Sequence, residues 1–203
     1  MENQPKITII VPVKNAGKTL QKTFDSIKSQ NYKNFELIVM DGISTDNTME
    51  VINNNIEIVD TLISEDDKSS ADACNKAIKI SKGEFVGFLY GDDYLDANAL
   101  ISIANVIKTR DDIDIISYGL SIENLKTGKV ILNSKKEKNI SLNLNNILFK
   151  HVLNHFYRKN IFQKYGYLKT LYFDNTVFYS NDREFLIRLA LNNVKNFVIE
   201  ETL

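Results

Sequence analysis

Carboxylates recur where apolar, strand-like runs end in the first half of this 203-residue chain. Residues 6–13 (KITIIVPV) lead into Lys14-Asn15, and residues 35–41 (FELIVMD) end on Asp41. Residues 58–64 (IVDTLIS) lead into Glu65-Asp66-Asp67, and residues 84–91 (EFVGFLYG) into Asp92-Asp93. Adjacent carboxylates such as Asp92-Asp93 are hard oxygen ligands, suited to Mg²⁺ or Mn²⁺ shared with phosphate oxygens. The plainer alternative is helix capping, because Asp92, Asp93 and Asp96 all precede a helical pattern. Asp41, followed by Gly42, can accept hydrogen bonds from a ribose or a base edge, while Asp46 and Thr48 organise the turn and the next helix start. An acidic edge of this kind would repel a nucleotide diphosphate unless a cation bridged the two.

Helical patterns separate the four runs: 17–31, with Leu20, Phe24 and Ile27 at helical spacing; 45–54, opened by Ser44-Thr45; and 69–81, with Ala73, Ala77 and Ile80. This alternation predicts a parallel sheet with right-handed crossovers, flanked by helices. In such a sheet the carboxyl ends of the strands share one edge, and ligands bind there. After Asp93 the pattern changes. A helix is expected over 97–109, a strand over 114–124, and a hairpin partner over 129–133 after the Lys126-Thr127-Gly128 turn. Residues 134–143 read as an exposed loop, 158–165 and 181–191 as helices, and 196–200 as a last strand. No linker or repeat divides the chain, so residues 1–203 read as one domain.

Composition narrows the function classes. Lys plus Arg number 25 and Asp plus Glu 26, a formal charge of −1, so no general attraction to nucleic acid is expected. One cysteine, Cys74, excludes an internal disulfide framework. The N-terminus lacks a basic region and a cleavage site, and no apolar run is long enough to span a bilayer, which points to a cytoplasmic protein and still allows peripheral association with a membrane.

Three longer stretches resemble one family. PVKNAGKTLQKTFDSIKSQNYKNFELIVMDGISTDNT, SEDDKSSADACNKAIKISKGEFVGFLYGDDYL and SNDREFLIRLA are similar, in order and spacing, to segments of the inverting family 2 glycosyltransferases of bacterial polysaccharide synthesis. The resemblance implies a GT-A-like, Rossmann-type open mixed sheet, with residues 1–93 as nucleotide-binding half and 94–203 as acceptor-side half. It implies that Pro12, Val13 and Asn15 lie near the base, that Asp41 binds base or ribose, and that Asp67 lies at the nucleotide edge. Asp92 and Asp93 become the later part of an Asp-rich metal motif, with Asp93 the direct ligand, and Asp182 becomes the base that deprotonates the acceptor hydroxyl. The activity implied is metal-dependent transfer from a nucleotide-sugar, foremost a UDP-sugar, to a glycan or lipid-linked glycan at the inner face of the membrane.

The chain departs from the family pattern in three places. Tyr90 stands where many relatives carry an acid. His151 and His155 flank, without filling, the place of a histidine common in relatives. The chain ends at Leu203, soon after the base segment.

Rival motifs fare worse. Gly17-Lys18-Thr19 looks like the end of a Walker A loop, but Pro12 stands where the first glycine is needed. His151 and His155 lack the intervening glutamate of a zinc-hydrolase helix. Cys74 reads as a packed thiol. A nucleotide-sugar-binding protein without catalysis is the remaining alternative, and metal-dependent donor hydrolysis would separate it from an enzyme.

Overall fold

The computed structural model describes residues 4–119, 121–123, 127, 129–133, 153–166, 173–174 and 181–202. Its elements in chain order begin β1 (Ile7–Val13), α1 (Leu20–Lys28), β2 (Phe35–Asp41), α2 (Thr48–Asn53) and β3 (Thr61–Ser64). They continue with α3 (Ser70–Ile80), β4 (Phe85–Phe88), α4 (Ala99–Thr109), β5 (Ile115–Gly119), β6 (Ser121–Glu123) and β7 (Val130–Asn133). The last are β8 (Leu153–Arg158), α5 (Asn160–Tyr165), α6 (Asn181–Leu191) and β9 (Asn196–Thr202). Seven strands form one sheet in the order β3-β2-β1-β4-β8-β5-β9, and β6 and β7 form a separate antiparallel pair.

Strands β1 to β4 are mutually parallel, as the strand–helix alternation predicts. Strand β8 runs antiparallel to both β4 and β5, and β9 is parallel to β5, so the sheet is mixed. Period-two alternation divides the apolar side chains between two faces. Ile7, Ile9 and Val11 of β1 pack with Leu20, Phe24 and Ile27 of α1, Ile52 of α2 and Leu100, Ile103 and Ile107 of α4. Ile10, Ile38 and Val86 pack on the opposite face with Ala73, Cys74 and Ala77 of α3, Phe162 of α5 and Phe185, Leu186 and Leu189 of α6. The result is a three-layer α/β architecture.

Some sequence expectations need correction. The expected strand over 58–64 begins at Thr61, because Ile56–Ile58 form a 3₁₀ turn after α2. The expected helix over 158–165 starts only at Asn160; the residues before it form β8, in the middle of the sheet. The aromatic pair Phe156 and Tyr157 explains why, since each is buried on a different face of the sheet. The expected strand over 114–124 is divided between β5 in the large sheet and β6 in the hairpin. The expected loop over 134–143 lies outside the described residues.

Candidate functional site

The carboxyl ends of β1 to β4 meet along one edge, where loops from three of them enclose a cavity of about 500 Å³. Pro12, Val13 and Asn15 line it from β1, Asp67 and Ser69 from the approach to α3, and Tyr90 and Asp92 from the end of β4. A cavity of this size suits a small organic ligand. Among the described residues no group of three or more His, Cys, Asp or Glu forms a ready-made metal cage.

Two loops are knitted together at the base of the cavity. Asn15 sits at φ 55°, and its backbone N–H donates to Ser44 Oγ (2.9 Å) while its Oδ1 accepts from Thr45 N–H (2.8 Å). Ala16 N–H donates to Thr48 Oγ1 (2.8 Å) and Gly17 N–H to Asp46 Oδ2 (3.1 Å). Hydrogen bonds from Thr48, first of all from its hydroxyl, hold the Asp46 carboxyl below its usual range. The N–H groups of Asn15, Ala16 and Gly17 are thus engaged by side chains and that of Thr19 by Ala16 O, so most donors that a Walker loop would aim at phosphate are already occupied, which weighs against the ATPase reading together with Pro12.

Asp41 is buried at 2% exposure and does not line the cavity. Its carboxylate accepts from Ser44 N–H (3.2 Å to each oxygen) and from Ser64 Oγ (2.6 Å). It therefore braces the loop 42–44 from below, whatever further contact it makes with a ligand. Asp67 packs close to Gly42, where an added Cβ would lie 2.7 Å from its Oδ2. Burial pushes the Asp67 pKa up, against the pull of Lys14 and Lys76.

The Asp92-Asp93 turn is held by a polar stripe that the sequence reading missed. Thr19 Oγ1 donates to Gly91 O (2.7 Å) and Thr23 Oγ1 to Asp93 O (2.8 Å). Ser26 Oγ accepts from Leu95 N–H (3.2 Å). Gln30, fully buried, donates to Asp96 O (2.8 Å) and accepts from Leu100 N–H (3.1 Å). These four residues recur at three- and four-residue spacing along α1 and its flanks. The available signal was that spacing beside the apolar face of Leu20, Phe24 and Ile27. Asp92 faces the cavity, whereas Asp93 lies close enough to β5 for its charge to act on the buried Tyr118 phenol. Asp93 is exposed at the surface, yet nearby protein still desolvates its carboxylate. That desolvation, and next the Asp92 carboxylate, push its pKa up. A carboxylate whose charged form is disfavoured by burial and by a neighbouring carboxylate suits a bound divalent cation, which favours that charged form.

The topology brings Asp182 toward the same edge. β9 begins at Asn196, opposite Ile115 at the far end of β5. Helix α6 enters β9 from that far end, and its 11 residues run back about 16 Å toward the carboxyl edge. Asp182 stands at its second position, and its side chain lies outside the described residues. His151 also lies outside them. His155 Nδ1 is 2.8 Å from Ser117 Oγ, which in turn donates to Asn196 Oδ1 (2.6 Å), so His155 ties β8, β5 and β9 together. Cys74 is buried, and burial pushes its thiol pKa far up, as a packed thiol requires.

Comparison with known proteins agrees with this geometry. A relative named UDP-Glc:alpha-D-GlcNAc-diphosphoundecaprenol beta-1,3-glucosyltransferase WfaP, from Escherichia coli, is 40% identical over 92 residues, 43% of this chain and 36% of the relative. The similarly named WfgD of Escherichia coli is 33% identical over 131 residues, 64% of this chain and 52% of the relative. The chain thus aligns with about half or less of the length of these two relatives. Among solved structures, S. aureus TarS 1-349 in complex with UDP superposes with a TM-score of 0.79 at 24% identity, over 97% of this chain and 58% of that one. The mannosyltransferase PcManGT from Pyrobaculum calidifontis, in complex with GDP-Man and Mn2+, superposes with a TM-score of 0.70 at 20% identity, over 98% of this chain and 55% of that one. At these identities the likeness establishes a shared fold. The family model for Glycosyl transferase family 2 matches residues 8–166, from β1 through the Asp92-Asp93 turn to the end of α5, and the chain belongs to that family.

Proposed function

We propose that this chain is a metal-dependent inverting glycosyltransferase that moves a sugar from a UDP-sugar to a lipid-linked glycan. The observation that carries the reading is the Asp92-Asp93 turn, pinned by α1 beside a nucleotide-sized cavity in a family 2 chain. The two Escherichia coli relatives named for UDP-Glc and a GlcNAc-diphosphoundecaprenol, and the TarS complexes with UDP and UDP-GlcNAc, support UDP-glucose or UDP-GlcNAc as donor and a GlcNAc-diphospholipid as acceptor. Such an acceptor would bring the protein to the cytoplasmic face of a membrane. No helix among the described residues is long and apolar enough to cross one.

In this reading residues 1–93 form the nucleotide-binding half and 94–203 the acceptor-side half of one catalytic domain. Pro12, Val13 and Asn15 frame the base, with Asp41 and Asp67 behind the ribose. Asp93, assisted by Asp92, would hold Mg²⁺ or Mn²⁺, which supplies positive charge for the departing diphosphate. Asp182 accepts the proton of the acceptor hydroxyl as its oxygen bonds to the anomeric carbon. The bond from that carbon to the UDP oxygen breaks on the opposite face, which inverts the configuration.

Calorimetry tests the metal. UDP should bind at least about tenfold more tightly with Mn²⁺ or Mg²⁺ than with EDTA, a difference of about 1.4 kcal/mol, and Asp93→Ala should remove most of it. Equal affinity with and without the ion would sink the assignment. Transfer of glucose from UDP-glucose to a synthetic GlcNAc-diphospholipid separates an enzyme from a nucleotide-sugar-binding protein.

A further inference from the structure

We propose that Asn75, inside α3, is a positioning residue for transfer: it locks Phe173 onto the nucleotide-binding half, and so sets the place of the first turn of α6, which carries Asp182, relative to the cavity. The inference rests on Asp182 serving as the base.

Asn75 is 1% exposed, in a helix whose other inward residues are apolar. An asparagine in that position needs partners, because a buried amide without them is costly. It finds them 98 residues away. Its Nδ2 donates to Phe173 O (3.0 Å) and its Oδ1 accepts from Phe173 N–H (2.8 Å). One planar amide thus satisfies both backbone groups of one residue, as a neighbouring strand would.

Both ends of this clamp lead to the proposed chemistry. On the α3 side, Ser69, Ser70 and Ala73 line the cavity, the last only two residues before Asn75. On the other side, the Phe173 ring meets Phe185 of α6 edge-on, with centroids 5.2 Å apart, and Phe185 stacks on Phe162 of α5 at 5.4 Å. Arg188 of α6 donates to Tyr165 O at the end of α5 and pairs with Glu184. Helix α6 is therefore seated by Phe173, Phe162 and Tyr165, and Phe173 is seated by Asn75. Asp182 stands three residues before Phe185, at the end of α6 nearest the cavity edge. Loss of the amide frees Phe173, and the first turn of α6 loses its register against the nucleotide-binding half.

The test is a double-mutant cycle on the full chain, with UDP-glucose and the synthetic GlcNAc-diphospholipid as substrates. A misplacement on the order of 1 Å costs about a hundredfold in rate. Asn75→Ala should therefore lower kcat about a hundredfold and leave the KM for UDP-glucose and the affinity for Mn²⁺-UDP within about twofold. In the Asp182→Asn background the same change should cost less than about threefold, because the base that depends on that placement is already absent. Equal losses in both backgrounds, or a donor KM that rises with the loss of kcat, would overturn the inference and mark Asn75 as general packing. Near-normal turnover of Asp182→Asn alone would instead remove the base assignment, and this inference with it. If Asn75→Ala does not fold, Asn75→Asp carries the same cycle. It keeps the shape and the acceptor for Phe173 N–H, but an ionised oxygen then faces Phe173 O.

Discussion

Replacing Gly91 by alanine tests whether the placement of the Asp92-Asp93 turn governs metal-dependent nucleotide binding. A Cβ at Gly91 would lie 2.8 Å from Ala16 Cβ and 2.9 Å from Val13 Cγ1. Carbon atoms in contact prefer about 3.5–4.0 Å, so the turn, or the β1 loop opposite it, must move by about 0.6 Å or more. Overpacking of that kind costs about 1–3 kcal/mol. In a chain of this length that corresponds to a fall in melting temperature of about 2–12 °C. The strain falls between the loops that frame the cavity, and a binding constellation tolerates about 0.5 Å of error. Affinity for Mn²⁺-UDP should therefore drop about tenfold, or about 1.4 kcal/mol. Gly83→Ala is the matched control. Its Cβ would lie 2.5 Å from Thr8 N, an equal or worse clash, but at the opposite edge of the sheet where β4 begins. It should lose stability and keep its nucleotide affinity. Calorimetry and thermal melts on the two variants read both quantities. If Gly91→Ala melts early yet binds Mn²⁺-UDP as the parent does, the position of the turn does not control the site and the reasoning fails.

Other expectations follow from single residues. Asp182→Asn should lower transfer by about two to four orders of magnitude with Mn²⁺-UDP affinity unchanged, measured with UDP-glucose and the GlcNAc-diphospholipid; intact turnover would reject the base. Asp93→Asn should raise the melting temperature in EDTA at neutral pH. Desolvation and Asp92 raise the folded-state pKa of Asp93, so its ionised form opposes folding above that pKa. The gain should fade below the ordinary carboxylate range, where folded and unfolded chains are both protonated; a gain that persists there would refute the charge argument. Ile43 is a β-branched residue at φ 56° and 51% exposed, so Ile43→Gly should relieve strain and stabilise the fold by about 1 kcal/mol, a gain that a denaturant titration reads directly. Lys18→Ala should leave UDP binding unchanged, because Lys18 is exposed and the N–H groups of Asn15, Ala16 and Gly17 before it are engaged by Ser44, Thr48 and Asp46.

Much of this molecule is readable from local pattern. The apolar runs of β1, β2 and β4, the helical spacing of Leu20, Phe24 and Ile27, and the change of period after Asp93 follow from which side of an element each residue must bury. Local pattern therefore located the first α/β half and the strand-end carboxylates. What it could not supply is partnership across the chain. β8 lies between β4 and β5 because Phe156 and Tyr157 fill opposite faces there, a demand set by helices from both halves of the sequence. The Thr19–Thr23–Ser26–Gln30 stripe looks like an ordinary polar edge until folding brings the loop after β4 alongside it, some 70 residues on. Asp41 reads as a ligand contact in isolation, and only the folded chain shows that its carboxylate also accepts from Ser44 and Ser64 and braces the loop 42–44. Asn75 reads as a helix residue until Phe173 arrives from 98 residues away. Residue type and period set which groups must be buried or satisfied; only the folded chain determines which distant group satisfies them, because that choice depends on distance in space and not along the sequence.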